Sequence, residues 1–220
     1  MEDNMIYKGK GTEGFHVLYI WIIINTVLIY CNLFIVGLVD KFAGEDDTIF
    51  HLLAFFLPVV LLVVNLFIVL IFYKKTDRRI FLSCALLVKY MLVPLYAFGV
   101  FVMCVFFLMM FTPVVIMVFV SPVIITFLTI YGWCVVVQIS PFSIAYLLKA
   151  KKEGKIPSFI FKIGVVTQFC FCADVIAVMI LALLRERRWI KLTIVLLAIL
   201  AIAIFIISCI IGYAILKAVL

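Results

Sequence analysis

Thr112-Pro-Val-Val-Ile-Met-Val-Phe-Val-Ser-Pro122 lies near the middle of a run of nearly seventy residues, Ile80 to Leu148, whose single charge is Lys89. Its reading decides how many helices the run contains. At a rise of about 1.5 Å per residue, about 20 residues cross a hydrocarbon layer about 30 Å thick, so the run exceeds two spans and barely allows three. Thr112-Pro113 and Ser121-Pro122 are cap-then-proline pairs, the usual opening of a helix, and they bracket the best place for a break. They predict a third span at about 80–111, kinked near Pro94, and a fourth at about 122–148, with residues 114–120 as a short buried excursion. Three spans in the same run are the alternative, which would put the C-terminus on the opposite side.

The chain has the same character on either side. Of its 220 residues, 69% are apolar and 13% charged, and the mean hydropathy is +1.42, against roughly 45–50% apolar residues in a soluble domain. A water-soluble fold cannot cover that much apolar surface. Stretches such as Val59–Val64 and Leu196–Ala203 are apolar on every face, which excludes the alternation of a β-barrel strand. The expected fold is all-α: a polytopic membrane helix bundle of about six transmembrane helices in a single domain, residues 1–220. The expected spans are about 15–39, 49–73, 80–111, 122–148, 158–184 and 189–216.

Charge orients the bundle. The net charge of +7 comes from short clusters at the ends of apolar runs, the arrangement of topology signals and not of a nucleic-acid surface. Lys74-Lys-Thr-Asp-Arg-Arg79 and the cluster Lys149, Lys151, Lys152 and Lys155 read as cytoplasmic, and the acidic loop Asp40–Thr48 as external, so the N-terminus is cytoplasmic. The fifth run conflicts with this rule, being flanked at its far end by Arg185-Glu-Arg-Arg-Trp-Ile-Lys191. A re-entrant hairpin would remove the conflict, but Val165–Leu184 contains neither glycine nor proline at which to reverse. Six spans with both termini inside place twelve basic residues, Lys162 among them, on the cytoplasmic side and five outside.

Chemistry-bearing residues are few. The seven cysteines all lie in apolar segments and read as small buried hydrophobes, and His16 and His51 fall on opposite sides of the expected topology, so no metal site is expected. Intramembrane protease, zincin and nucleotide-binding patterns are all missing, so the chain is read as a non-enzyme without a cofactor. Lys89 and Asp174, well inside apolar runs, each cost about 2.5–3.5 kcal/mol at a helix centre if unpaired, which makes each a candidate partner for the other. Asn25 and Asn32 share a face of the first span, Asn65 lies in the second, and Thr167, Gln168 and Asp174 cluster in the fifth. Together they predict a buried polar network. Ser140-Pro141 repeats the helix-start signal shortly before the lysines. Ser140, Pro141, Tyr146, Lys149, Lys151, Lys152 and Lys155 therefore form an expected kinked, juxtamembrane surface for lipid or a cytoplasmic partner.

Three stretches carry a family resemblance: Leu87–Tyr96, Ser140–Ile156 and Gln168–Ala177. They are similar to an uncharacterised group of small multi-spanning membrane proteins from Gram-positive, often gut-dwelling, bacteria. The resemblance implies a bacterial plasma-membrane protein of undefined activity, with Lys89, Pro94, the Ser-Pro turn, Gly154 and Asp174 in one constellation. The functional expectation is a transporter-like or transporter-associated subunit. The alternative is a non-transporting immunity, sensor or assembly protein that binds another membrane protein.

Overall fold

The computed structural model describes residues 13–42, 48–111, 115–170, 173–186, 190–191, 193–196, 198–199 and 202, and among them every regular element is helical. α1 covers Glu13–Phe42, α2 Thr48–Tyr73, α3 Arg78–Met109, α4 Val115–Lys152, α5 Ser158–Thr167 and α6 Ala173–Leu181, which runs on as a π-helical turn over Ala182–Glu186. Among the described residues, three segments are long and apolar enough to cross a membrane, Phe56–Tyr73, Arg78–Met109 and Val115–Lys152, where six were expected; the other apolar helical stretches there, His16–Asn32, Ser158–Thr167 and Ala173–Leu184, are shorter. The expected sixth span is helical where it is described, and all of 203–216 lies outside the described residues.

α3 and α4 form the central antiparallel pair. α2 packs on α4 and α1 on α3, while α5 packs on α4 and α6 on α3. The apolar core is densest near the lysines, where Phe81, Leu82, Leu86, Val136, Ile139 and Phe142 are fully buried. In the other half, Phe98, Phe101, Phe119 and Phe127 face outward, as a surface matched to hydrocarbon would.

The two basic segments meet at one end of this pair. Lys149 Nζ donates to the carbonyl of Thr76 and lies 5.0 Å from the Tyr73 ring and 5.7 Å from the Phe81 ring, while Arg78 pairs with Glu153. Two helices therefore separate the segments, in keeping with two spans and not three between Ile80 and Leu148. α4 is closed by a Schellman turn: Gly154 adopts φ 68°, Lys155 N–H donates to Ala150 O at 2.9 Å and Gly154 N–H to Lys151 O at 3.0 Å. These bonds satisfy carbonyls that a helix end leaves open.

The proline signals were misread. α4 begins at Val115 and passes through Pro122 and Pro141 without a new start, so residues 115–120 are its first turns and not a separate excursion. Thr112, Pro113 and Val114 lie outside the described residues. Proline removes one backbone donor, which in a membrane-type helix a neighbouring hydroxyl can replace. Ser140 Oγ does so, donating at 2.7 Å to Val137 O, the carbonyl that residue 141 would otherwise serve. Near Pro94, which is likewise inside α3, Tyr30 Oη donates to Met91 O at 2.6 Å. The Ser-Pro pair is thus a helix-interior repair and not a cap.

The fifth run is also corrected: a single helix over 158–184 was expected, and the chain breaks between α5 and α6. The last turn of α5 tightens through bonds from Gln168 N to Val165 O, Phe169 N to Val166 O and Cys170 N to Thr167 O, at 3.1, 3.1 and 3.2 Å. This i to i−3 pattern commonly ends a helix without any glycine or proline. Cα atoms of α6 lie within 8 Å of α5, closer than the about 9 Å that six steps of a straight helix put between Thr167 and Ala173. The chain bends sharply there.

Candidate functional site

The bend brings the charges together. Measured along straight helices, Lys89 stands about 16 Å from Arg78 at the basic end, whereas Asp174 would stand about 24 Å from Ser158. The bend between α5 and α6 removes the offset. Lys89 Nζ donates to Asp174 Oδ2 at 2.7 Å and to Gln168 Oε1 at 3.0 Å, from α3 across to the two sides of the break. Lys89 is 1% and Asp174 0% exposed, so neither charge is screened by solvent and each is compensated chiefly by the other. Gln168 Nε2 donates back to Gly164 O at 3.1 Å, which turns its oxygen toward the ammonium. Trp133 Nε1 of α4 donates to Phe169 O at 3.1 Å, covering a carbonyl within the bend.

One acceptor is left over. Asp174 Oδ1 is buried and accepts no hydrogen bond among the described residues, although a carboxylate oxygen inside a fold ordinarily has a donor. The hydroxyls of Tyr90 and Thr193 hydrogen-bond to one another, tying α3 to the chain beyond α6. Thr167, expected in the same network, donates at 3.0 Å to the Gly164 carbonyl that Gln168 also uses. The bend breaks the heptad register that made Thr167 and Asp174 look alike.

The asparagines form a second cluster, without charge. Trp21 Nε1 donates to Asn65 Oδ1 at 2.7 Å, Asn65 Nδ2 to the backbone carbonyl of Gln138 at 2.9 Å, and Gln138 Nε2 to Asn25 Oδ1 at 3.3 Å. The circuit runs from α1 to α2 to α4 and back to α1. Asn32 is held separately, its Nδ2 donating to Tyr131 Oη at 3.2 Å. Gln138 and Trp21 escaped the sequence reading. Trp21, Asn25 and Asn32 fall on one face of α1 at helical spacing, and Gln138 is the one amide in the long run of α3 and α4.

The surface expected around Ser140–Lys155 divides in two. Ser140 and Tyr146, 4% and 1% exposed, are core residues, Pro141 is buried with them, and Lys149 is committed to Thr76. Ser140, Pro141 and Tyr146 are therefore turned into the bundle, because the helix continues through Pro141, while Lys149 is half-buried. Lys151, Lys152 and Lys155 are exposed, with Lys151 4.5 Å from the Phe161 ring and Lys152 5.2 Å from the Tyr73 ring.

Long apolar helices that enclose a charge pair are compatible with a helical membrane protein. Over residues 13–189 the chain matches the family model of a family of unknown function, DUF6652, and it belongs to that family. The match includes both polar clusters. No curated protein and no solved structure matches the chain.

Proposed function

We propose that the chain is a multi-pass protein of a bacterial plasma membrane, acting as a small transporter-like or transporter-associated subunit, with the α5–α6 break as its working element. The observation that carries this reading is the buried Lys89–Asp174 pair placed at an interrupted helix. Discontinuous helices near the bilayer midplane, with charged groups at the interruption, are a recurrent way of building substrate and coupling-ion sites. Lys89, about 16 Å along α3 from the basic end, stands well inside a hydrocarbon layer about 30 Å thick. The unused Asp174 Oδ1 gives that site spare acceptor capacity for a proton or a cationic group. In this reading the chain crosses six times with the N-terminus cytoplasmic, counting the stretches around α1, α5–α6 and 189–216 as crossings. No catalysis is assigned to it.

Single cysteines at Val175 and Val178, introduced into a variant lacking the native thiols, test the reading in sealed membrane vesicles. Both positions are buried beside Asp174. The expected result is modification by a polar thiol reagent from one side, as the packed arrangement opens. Complete protection from both sides would contradict it.

A second reading has its own support: around the pair the helices are closely packed, with Val175, Val178 and Met179 at most 3% exposed. A dry cluster suits a non-transporting protein that binds another membrane protein through its helices. That reading predicts a partner that co-purifies in mild detergent at fixed stoichiometry.

A further inference from the structure

In the half of the bundle away from the lysines, α3 and α4 part to leave a pocket of about 110 Å³. Tyr96, Phe98, Gly99 and Val102 of α3 and Gly132 and Val135 of α4 are among its walls. Its floor is closed, with Tyr96 8% and Val135 1% exposed, whereas Phe98 at its lip is 62% exposed. The pocket therefore opens sideways onto the outward-facing phenylalanine surface. Gly99 does not serve close packing, because a Cβ there would meet no atom within 4 Å; its lack of a side chain is what leaves the hollow open.

The lining selects the occupant. A trapped water needs about 2–4 polar partners, whereas the walls present almost only apolar atoms to the hollow; of their two hydroxyls, Tyr96 and Tyr131, the second already accepts from Asn32 Nδ2. Apolar cavities of about 150 Å³ stay dry and take up small hydrocarbons, and this pocket is of that order. Gly99 lies about 30 Å along α3 from Arg78, in the leaflet opposite the lysine clusters. The medium against that surface is lipid chain.

We propose that this pocket binds an acyl chain of a membrane lipid from the leaflet opposite the lysines. The proposal rests on the membrane placement but not on transport. It gives the α3–α4 pair a lipid-binding site separate from the Lys89–Asp174 cluster.

The test uses the full chain in nanodiscs made with a phospholipid that carries a photoactivatable group on its acyl chain, with adducts mapped by peptide mass spectrometry. Adducts are expected on 95–103 and 128–135. Gly99→Phe, which fills the hollow, should abolish them while adducts on the outward face of 115–123 persist. Gly99→Ala adds its Cβ to open space and should keep both the fold and the adducts. Where Gly99→Phe yields no folded protein, Val102→Trp fills the same pocket from one turn further along α3. Adducts spread evenly along the bundle and unmoved by either filling variant would overturn the proposal, leaving general lipid contact alone. Absence of adducts on 95–103 and 128–135, with protein that sediments as dimers until Gly99→Phe separates them, would overturn it in favour of a second copy. A chain that fails to enter nanodiscs at all would sink the membrane placement itself, a different outcome from either.

Discussion

The two buried polar clusters are built from different chemistry on different backbones. Trp21, Asn25, Asn65 and Gln138 join continuous helices through neutral groups, and each bond is a modest cross-helix tie. Lys89, Gln168 and Asp174 join α3 to a chain that bends between them, and the tie is an ion pair hidden from solvent. A lost amide bond leaves a neutral dipole that finds other partners. A lost half of the ion pair leaves a bare charge. The first arrangement holds a bundle together, while the second makes the bend conditional on two charges.

The largest expected effect lies at the charged cluster. Asp174→Asn or Lys89→Met alone should lower stability by about 3–5 kcal/mol, because the remaining charge stays buried without its partner. Thermal unfolding in nanodiscs measures the loss, and a change below that of an amide mutant would erase the distinction between the clusters. Next comes the neutral circuit. Asn65→Leu removes both the bond from Trp21 and the bond to Gln138 and should cost about 1–2 kcal/mol, in line with hydrogen bonds between membrane helices. A similar cost, about 1–2 kcal/mol, is expected for Gly154→Ala, which forces a side chain into the left-handed region. Since this change touches neither cluster, its effect should add to that of Asn65→Leu; strong coupling would show that the basic end and the amides are one unit. The smallest effect belongs to Lys151→Ala, which loses a contact with the Phe161 ring worth about 0.5–1 kcal/mol at an exposed site. Its midpoint should fall least of the set.

Composition made the helical architecture legible, and charge spacing showed that two basic segments share one end. Lys89 and Asp174 stood out because a lone charge in an apolar run has few tolerable fates. Their meeting was harder to read, since straight-helix arithmetic left them at different depths and the sequence between α5 and α6 carries no glycine or proline to announce a bend. What replaces that signal is a tightened final turn together with two tertiary partners, a tryptophan donor from α4 and an ammonium from α3. The prolines misled in the opposite sense. Pro122 and Pro141 look like helix starts beside Ser121 and Ser140, yet Ser140 restores the bond that Pro141 removes, so α4 runs on. The same continuity buries Ser140 and Tyr146, which the sequence placed at a surface. Gln138 was overlooked because an uncharged amide in an apolar run resembles packing until its partners on α1 and α2 are known.

The role of the bend depends on whether Lys89 and Asp174 act as one unit across it. A double-mutant cycle with Lys89→Met, Asp174→Leu and the pair together, read by thermal unfolding in nanodiscs, measures this directly. The double mutant should recover most of the about 3–5 kcal/mol lost by either single change, because no charge is then left buried. Losses that simply add would contradict the pairing, and with it the proposed role of the bend.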